Sequence, residues 1–416
     1  MTEYENSSSG NCGPAHRFGG KLLLLRLYRM GRLPSALYAA SLLWEDGMPV
    51  VALEYGHFYE AQKYVFENFP RVRWASGWAR WVPSPLRASA VWLVTLCRLF
   101  FAFVVQGRPR FIVAHGLQEQ LLAYVIRIVW RVPYAVHVHE AFEYKDLSRT
   151  NKVFLAAEGT ALCHADFLIF PESTRAAIYK KRYELQTPIY LAFNCPRRAL
   201  PESGALPKEL RLREAPVRAL YVGGIGPNNA LEHAVRALAR FPELELCLVG
   251  WAEKRDKENL MRLAESLGVA HRTRLLGVVD EATKWALMRS SDISYCLYEP
   301  STIRLRYVAT ASNKFMESLA AGLPVITNNC EGFKSLVEHY EVGVAVDDIT
   351  DAGVQKAFRF LLADTERREA MGRRAAALHA SEFNYETQFA PIHERLKEEF
   401  SRERKPRRIR FAGENA

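Results

Sequence analysis

The sequence predicts an α/β protein built from two domains, each with a doubly wound parallel sheet. Length is one reason, because 416 residues, 49% of them hydrophobic, are enough for two cores of ordinary size. Short apolar runs also alternate with amphipathic segments along most of the chain, a pattern typical of βα units. Each half opens with an apolar strand that leads into a loop, at residues 21–28 and 218–222. A disordered or fibrous protein is therefore excluded.

The N-terminal domain is predicted over residues 21–200. Residues 1–20 are rich in Ser, Gly and Asn and have no basic start or long apolar run, so we expect a disordered tail and not a signal peptide. The first strand is followed by a loop at 29–35, a helix that ends at Trp44 and a second strand at 50–54. This opening is typical of nucleotide-binding folds, although its loop lacks the full glycine fingerprint.

A very apolar segment follows at residues 88–106. It has the length of a membrane-spanning helix, but Arg98 lies at its centre, and a central charge makes spanning costly. We therefore expect a buried or interfacial helix. Three Trp residues precede it, with Arg between them, at spacings that fit a helix with its indoles either at a bilayer surface or in a core: Trp74, Trp78 and Trp81.

Polar residues follow two strands of a predicted βαβ unit, at 111–114 and 134–138, which flank a helix at 118–131. The carboxyl ends of parallel strands face the ligand crevice of such a sheet. The residues at these ends are candidates for ligand binding or catalysis: His115, His139 and Glu140. The domain continues with a helix at 156–164, a strand at 166–170 and a helix at 172–183.

A linker and a second domain complete the alternation. Residues 194–216 contain four prolines and several charges, a composition expected between domains, and we place the C-terminal domain at 216–380. Its first strand ends in a glycine loop that permits close approach of backbone N–H groups to a phosphate: Gly223, Gly224 and Gly226. Strands at 244–249, 273–276 and 293–297 alternate with helices at 257–267 and 281–289. Trp251 and Glu299 follow two of these strands at the crevice side.

The most informative stretch is residues 311–328. Ser312 or Asn313 can cap a helix of about two turns, and Gly322 can end it before an apolar strand that begins at Pro324. Lys314 is in the first turn, where free backbone N–H groups already favour an anion such as phosphate. Glu317 lies three residues on, and its carboxylate can accept two hydrogen bonds from the vicinal hydroxyls of a ribose.

This stretch, from Asn313-Lys314-Phe315-Met316-Glu317 to Ala320-Ala321-Gly322-Leu323-Pro324-Val325-Ile326, resembles the nucleotide-sugar motif of glycosyltransferase family 4. The resemblance spans nearly residues 20–400. It implies two facing Rossmann-like domains (the GT-B architecture) and a final helix, at 381–400, that crosses back to the first domain. It also implies transfer with retained anomeric configuration, without a metal or other cofactor. His139 matches a histidine that lies near the donor sugar and phosphate in that family.

The resemblance therefore assigns roles to the candidate residues. His139 and Lys314 are the expected catalytic residues. The donor is expected to contact the glycine loop, Trp251 and the central motif: Gly223, Gly224, Gly226, Trp251, Asn313, Lys314 and Glu317. The acceptor or the sugar is expected near four others: His115, Glu140, Glu299 and Arg304.

The sequence departs from the family pattern at three positions. Related enzymes carry a basic pair in and after the glycine loop, where this chain has Gly224 and Asn229. They also carry a second glutamate eight residues before the one at 317, where this chain has Ala309. Charge on the diphosphate must then be met by Lys314 with Arg304 or Arg306, and Glu299 or Glu331 would have to replace the missing carboxylate.

Charge and cysteine content bound the partners. The net charge of +10 favours acidic ligands, and residues 401–416 form a basic tail suited to anionic lipid. The seven cysteines are scattered without a Cys-x-x-Cys pair, which fits a reducing cytoplasm and gives no zinc site. No nucleic-acid motif is present. We expect a cytoplasmic enzyme, peripheral on the inner face of the membrane.

The leading hypothesis is sugar transfer from a nucleoside diphosphate sugar to a hydroxyl of a lipid-linked or polysaccharide acceptor. Two alternatives stay open: a sugar-nucleotide epimerase, which would form product from donor alone, and a non-catalytic relative that binds nucleotide sugar. Salt-sensitive binding to anionic vesicles would support a membrane-bound acceptor. The donor base, the sugar, the linkage and the oligomeric state are not defined by the sequence, and Ala309 leaves the stereochemistry open.

Overall fold

The structure is a computed structural model that describes residues 18–27, 33–56, 69–75, 77–143, 149–202, 204–211 and 214–402. Most of the predicted N-terminal tail, the loop at 29–32 and the basic tail beyond residue 402 lie outside the described residues. The predictions for those segments are therefore not tested.

The elements of the N-terminal half alternate between strand and helix along most of its length. In chain order they are β1 (Leu22–Leu25), α1 (Pro34–Glu45), β2 (Val50–Gly56), β3 (Arg71–Ala75), α2 (Ser84–Gln106), β4 (Phe111–Ala114), α3 (Leu117–Trp130), β5 (Tyr134–His137), α4 (Arg149–Ala156), α5 (Glu158–Cys163), β6 (Phe167–Phe170), α6 (Ser173–Arg182) and β7 (Ile189–Leu191).

The C-terminal half repeats the pattern and ends in three consecutive helices. Its elements are α7 (Lys208–Arg211), β8 (Val217–Val222), α8 (Leu231–Leu238), β9 (Leu244–Val249), α9 (Lys254–Ser266), β10 (Thr273–Gly277), α10 (Glu281–Arg289), β11 (Ile293–Tyr295), α11 (Ile303–Arg306), α12 (Asn313–Ala320), β12 (Val325–Asn328), α13 (Phe333–Tyr340), β13 (Gly343–Val346), α14 (Asp351–Leu362), α15 (Thr365–Ser381) and α16 (Tyr385–Ser401).

Two parallel sheets organise the molecule. The seven strands of the first have the order β3-β2-β1-β4-β5-β6-β7, and the six of the second have the order β10-β9-β8-β11-β12-β13. Strand order reverses between β1 and β4 in the first sheet and between β8 and β11 in the second. Ligands bind at the carboxyl ends of strands at such reversals, so the topology selects the loops after these strands. The predicted fold class, two doubly wound sheets, is confirmed.

The last helix returns to the N-terminal sheet as predicted. Four side chains of α16 are buried in the core that also holds β1 and α1: Tyr385, Phe389, Ile392 and Leu396. Arg197 joins the same elements because its guanidinium donates to Glu45 of α1 and to Glu386 of α16, at 2.8 and 2.7 Å. The chain thus crosses between the two sheets twice, once in each direction.

Several predicted elements need correction. The Trp segment is not one helix, because Trp74 lies in β3 and Trp81 ends a short 3-10 helix at Gly77–Trp81. Residues 156–164 form two helices that are interrupted at Ala157. β3, β7 and β13 were not predicted, since each is short and all three are edge strands.

Among the described residues, one helix, at residues 86–106, has the length and composition to cross a membrane. Within the fold, α2 has one face in the first core, where Leu99 and Phe103 are buried. Its opposite face carries exposed apolar side chains, including Phe101 and Val105. The prediction of a buried helix is therefore confirmed for one face, and the interfacial alternative stays a prediction for the other.

Candidate functional site

The two sheets meet at their carboxyl ends, through the segment that precedes α12. Thr310 donates to the carbonyl of Pro171 at the end of β6, and the side chain of Asn194 donates to the carbonyl of Ala311. Arg175, from the first turn of α6, is buried and donates to the carbonyls of His139, Tyr307 and Arg304 at 3.0, 2.5 and 2.7 Å. These contacts fix the loop after β5 beside the loop that leads into α12.

Glycine is required where the glycine loop leaves β8. Gly223 and Gly250 both have positive φ angles, of 149° and 144°, and a Cβ on Gly250 would lie 1.8 Å from the Gly223 carbonyl oxygen. The ends of β8 and β9 therefore touch through their backbones. Gly224 differs, because it is exposed and a Cβ there would meet no atom within 4 Å. The missing basic residue at this position is thus not explained by lack of space.

Lys314 is the cation of the site. Ser312 caps α12 by accepting the N–H of Phe315, so the helix begins at Asn313 and places Lys314 in its first turn, as predicted. The ammonium lies 4.2 and 4.0 Å from the ring centroids of Tyr221 and Tyr298 and 3.4 Å from Oδ1 of Asn229.

Burial lowers the pKa of Lys314 to about 8, because the ammonium is desolvated and no carboxylate among the described residues pairs with it. The aromatic faces compensate in part. A buried cation that lacks an anionic partner is arranged to receive an anion, and the N-terminus of α12 favours the same charge.

Glu317, three residues further on, already has partners. Its Oε1 accepts from Nζ of Lys284 at 2.9 Å, and Lys284 also contacts Glu281 at 3.0 Å. Burial alone would lower the pKa of Lys284, but the two carboxylates raise it, so Lys284 is charged. Burial raises the pKa of Glu317, against the pull of Lys284. One carboxylate oxygen of Glu317 is therefore engaged by Lys284, and only the second oxygen is left to accept a hydrogen bond from a ribose.

Three buried histidines lie at the ends of β4 and β5. Nδ1 of His115 and Nε2 of His139 are 3.0 Å apart, and Nδ1 of His139 is 3.4 Å from Oγ of Ser35. The ring of His137 lies 3.8 Å from that of His139, centroid to centroid, and neither of its nitrogens has a hydrogen-bond partner.

Burial lowers the pKa of all three imidazoles, that of His137 to about 3, and the neighbouring rings and Arg26 lower those of His115 and His139 further. All three are therefore neutral at pH 7. Among the described residues they are the one group of three His, Cys, Asp or Glu close enough to hold a metal ion, with ligand atoms within 4.8 Å of one another. Arg26, whose guanidinium donates to the His115 carbonyl, would repel a cation there.

The remaining predicted residues lie around this crevice. Glu140 and Arg304 form an exposed ion pair between the two halves, at 3.4 Å. The backbone N–H of Glu299 donates to the carbonyl of Asn228 in the glycine loop. Trp251 follows β9 and is 64% exposed, so its indole face is open to a planar ligand. Asn313 is half-buried at the start of α12.

Close packing surrounds Ala309, the position at which related enzymes carry a second glutamate. Ala309 is buried, and a Cβ added to Gly332 would lie 3.0 Å from the Ala309 Cβ. The longer side chain has no obvious space here. Of the two acidic residues considered as replacements, Glu331 is exposed and lies 3.5 Å from Oγ1 of Thr174, whereas Glu299 is next to the glycine loop.

Sequence reasoning missed four residues of the site. His137 ends β5 and stands two residues before His139, and continued extended backbone places both side chains on one face, which was a usable signal. Arg175 and Lys284 are ordinary helical basic residues in the sequence, and only the tertiary fold brings them to the crevice. Tyr298 directly precedes the candidate Glu299 in the sequence, and its ring contacts Lys314.

Comparison with known proteins relates the C-terminal half to sugar transferases. Residues 203–378 match the family model described as glycosyl transferases group 1. The chain is 28% identical over 173 residues to the lipopolysaccharide core biosynthesis glycosyltransferase LpsE of Rhizobium meliloti, which is 42% of this chain and 47% of that protein. It is 32% identical over 143 residues to a phosphatidyl-myo-inositol mannosyltransferase of Mycolicibacterium smegmatis, 34% of this chain and 33% of that protein. The matched segments span less than half the length of both relatives.

Solved structures resemble the whole chain. Sucrose-phosphate synthase from Thermosynechococcus elongatus has a TM-score of 0.73 at 16% identity, covering 92% of this chain and 99% of its own. Anabaena Alr3699/HepE in complex with UDP and glucose has a TM-score of 0.69 at 15% identity, covering 91% and 100%. The chain therefore has the GT-B fold of these sugar-handling proteins, and its residues 203–378 are related in sequence to the group 1 glycosyl transferases.

Proposed function

We propose that this protein is a glycosyltransferase that moves a sugar from a nucleoside diphosphate sugar to a hydroxyl acceptor in the crevice between its two sheets. The observation that carries the proposal is Lys314. Its ammonium is buried between two tyrosine rings, at the start of a helix and beside the glycine loop, without a carboxylate partner. A diphosphate supplies the charge that this arrangement lacks.

The chemistry uses that charge. Breaking the anomeric bond builds positive charge on the sugar and negative charge on the departing diphosphate. Lys314 and the first backbone N–H groups of α12 stabilise the diphosphate, and Gly223, Gly224 and Gly226 let the backbone approach it. Trp251 stacks on the base, Glu317 accepts from the ribose through the oxygen that Lys284 does not occupy, and Asn313 contacts the donor beside Lys314.

The N-terminal half handles the sugar and the acceptor. Because His139 and His115 are neutral, they place no charge beside the reacting sugar. Nδ1 of His139, whose contact with Ser35 is long at 3.4 Å, is the nitrogen that exchanges this partner for a sugar hydroxyl. Glu140, Arg304 and Glu299 contact the acceptor or the sugar at the crevice edge. We extend the proposal to transfer with retained configuration and without a metal ion or other cofactor.

The acceptor is proposed to be lipid-linked or part of a polysaccharide glycan. The sequence relatives support this class, since one is named for lipopolysaccharide core biosynthesis and another for phosphatidyl-myo-inositol. We further propose that the enzyme works in the cytoplasm, peripherally on the inner face of the membrane.

The first experiment is thermal stabilisation of the purified protein by UDP, GDP, ADP and CMP. We expect one nucleoside diphosphate to raise the Tm, and the corresponding sugar nucleotide to be consumed when an acceptor is supplied, equally well with a metal chelator. No stabilisation by any nucleotide would contradict the proposal. Loss of activity in the chelator would contradict only its metal-free part.

A second candidate is a non-catalytic nucleotide-sugar-binding protein. It is favoured by Ala309, which replaces the family carboxylate, and by the ion pair that already engages Glu317. The two candidates differ in one outcome. The binding protein would be stabilised by the sugar nucleotide but would neither transfer nor hydrolyse it across acceptors of different classes.

A further inference from the structure

The exposed face of α2 is an apolar stripe. Six side chains, each more than half exposed, recur at helical spacing along it: Leu86, Leu93, Phe100, Phe101, Val104 and Val105. The stripe continues onto the end of α3, where Ile128 and Val129 are 61% and 55% exposed and Trp130 packs against Phe100, with ring centroids 5.3 Å apart. Apolar surface this continuous marks an interaction site on a folded protein.

The helix is fixed in the fold along its other face. Leu99 and Phe103 are buried in the first core, and the ring of Phe103 packs against those of Phe18 and Trp130. Crossing a bilayer would require this face to leave the core. The stripe is therefore suited to lie along an apolar phase and not to span it.

Charge selects the partner. Between residues 71 and 118 the sequence contains seven arginines and no Asp, Glu or Lys. Exposed Arg87 and Arg108 donate to the backbone carbonyls of Val82 and Trp130, and Arg98 lies over the ring of Trp74, so these contacts leave their charges uncompensated. An apolar stripe within an arginine-rich stretch of sequence that has no acidic residue matches a bilayer that contains anionic lipids.

The ends of α2 relate the stripe to the crevice. Trp92, in the first half of the helix, donates its indole N–H to the carbonyl of Gln118, three residues beyond His115. The helix ends just before the start of β4, at the amino ends of the strands and so on the side of the sheet away from the crevice. The stripe thus starts near the crevice and runs away from it along the domain.

We propose that the stripe on α2, with the end of α3, docks this protein on an anionic membrane surface and brings the crevice to an acceptor whose lipid anchor stays in that bilayer. The acceptor part rests on the proposed function, whereas the docking does not. A second copy of the chain is the competing occupant. Two copies that met through this surface would bring two arginine-rich, acid-free stretches together, which is unfavourable.

The test is co-sedimentation of the full chain with vesicles of phosphatidylcholine, alone or mixed with phosphatidylglycerol. We expect binding to the mixed vesicles at low salt, reduced by salt. Val105→Glu should weaken it by about tenfold or more, because a charge replaces a side chain that inserts among the lipids. Val278→Glu is the matched control, since Val278 is 60% and Val105 64% exposed. Nucleotide-induced stabilisation, a property of the C-terminal half, reports correct folding of Val105→Glu, and the Tm of the ligand-free protein reports that of Val278→Glu.

The outcomes separate the alternatives. Binding lost in Val105→Glu but kept in Val278→Glu supports the docking surface. Absence of wild-type binding, equal binding of the two variants, or a wild-type dimer that Val105→Glu converts to a monomer overturns it. Transfer to a soluble acceptor without vesicle binding would end this inference and the proposed membrane location, and it would leave the proposed sugar transfer intact. Vesicle binding through α2 without any sugar transfer would support the docking surface and contradict the proposed function.

Discussion

The two sides of the crevice differ in how they treat charge. On the C-terminal side, Lys314 is a buried cation without a carboxylate partner, and Glu317 and Lys284 form a charged pair one turn away. On the N-terminal side, burial keeps His115, His137 and His139 neutral. Arg175 is the one buried cation of the described residues that joins the sides, and it donates only to backbone carbonyls.

Under the proposed function, this contrast assigns diphosphate binding to the C-terminal side and the positioning of hydroxyl groups to the N-terminal side. A buried site can receive a diphosphate only where a cation is held without a partner, which is the C-terminal side. A buried site that orients hydroxyl groups does better with neutral donors and acceptors, which is the N-terminal side. The following predictions test whether the charge that binds the donor lies on the C-terminal side of the crevice.

The largest expected effect is on turnover, when the C-terminal cation is removed. Lys314→Met should lower kcat by about 100- to 1000-fold, as expected for loss of one group that stabilises developing charge. The Tm of the ligand-free protein should not fall, because a desolvated ammonium is removed at the same time. Lys254→Met is the matched control, since Lys254 is on the exposed face of α9. Equal losses in the two variants would remove Lys314 from the mechanism.

Removing the link between the sides should cost stability. Arg175→Met leaves three backbone carbonyls without their donor, and we expect the free energy of unfolding to fall by about 3 kcal/mol. Chemical denaturation measures the change. Lys181→Met, an exposed position on the same helix, should leave it nearly unchanged. A similar value for Arg175→Met would show that the two halves are held together elsewhere.

The role of Glu317 is tested with the ribose hydroxyls. Glu317→Gln should weaken binding of the preferred nucleotide by about tenfold and have no effect on its 2′,3′-dideoxy analogue, because one charged acceptor is lost. Glu281→Gln provides the control, since it removes the other carboxylate from Lys284 without altering α12. If both nucleotides weaken equally, or both variants behave alike, Glu317 acts only through Lys284.

Lys314 should make the affinity for a nucleoside diphosphate depend on pH. The pKa of Lys314 is about 8 without ligand, and a bound diphosphate raises it, so binding takes up a proton above that pH. Affinity should therefore be constant just below pH 8 and fall by up to about tenfold per unit above it. Calorimetry between about pH 7 and about pH 10 measures this, with Lys314→Met as a reference that should show no such fall. An unchanged profile in the variant would assign the titration to another group.

The smallest expected effect is a gain in diphosphate affinity when a cation is added on the C-terminal side of the crevice. Gly224→Arg adds a cation at an exposed position that has space and an ordinary φ angle, and it should tighten diphosphate binding by about three- to tenfold at low salt. Added salt should reduce the gain. Gly268→Arg is unsuitable as a control because Gly268 has a positive φ, so exposed Ser266→Arg serves instead. Weaker binding in Gly224→Arg would mean that the phosphates do not approach this loop.

The sequence by itself determined the fold class and the local form of the central motif. Short apolar runs and helical patterns located most strands and helices of both sheets, because parallel strands buried on both faces are apolar along their whole length and lie between turn residues. The cap at Ser312, the position of Lys314 in the first turn of α12 and the left-handed Gly322 followed from local chemistry. Such features depend on residues close in the chain, so one sequence is enough to identify them.

Only the tertiary structure decided which side chains share the crevice. The ion pair of Lys284 with Glu317 joins two helices, Arg175 reaches three carbonyls across the interface, and Trp74 enters a strand because β2 offers it a partner edge. The protonation states of Lys314 and the three histidines also depend on the tertiary structure, since desolvation by burial is the main cause of their pKa shifts. Burial and long-range contacts depend on how distant segments pack, and no local pattern in the sequence encodes them.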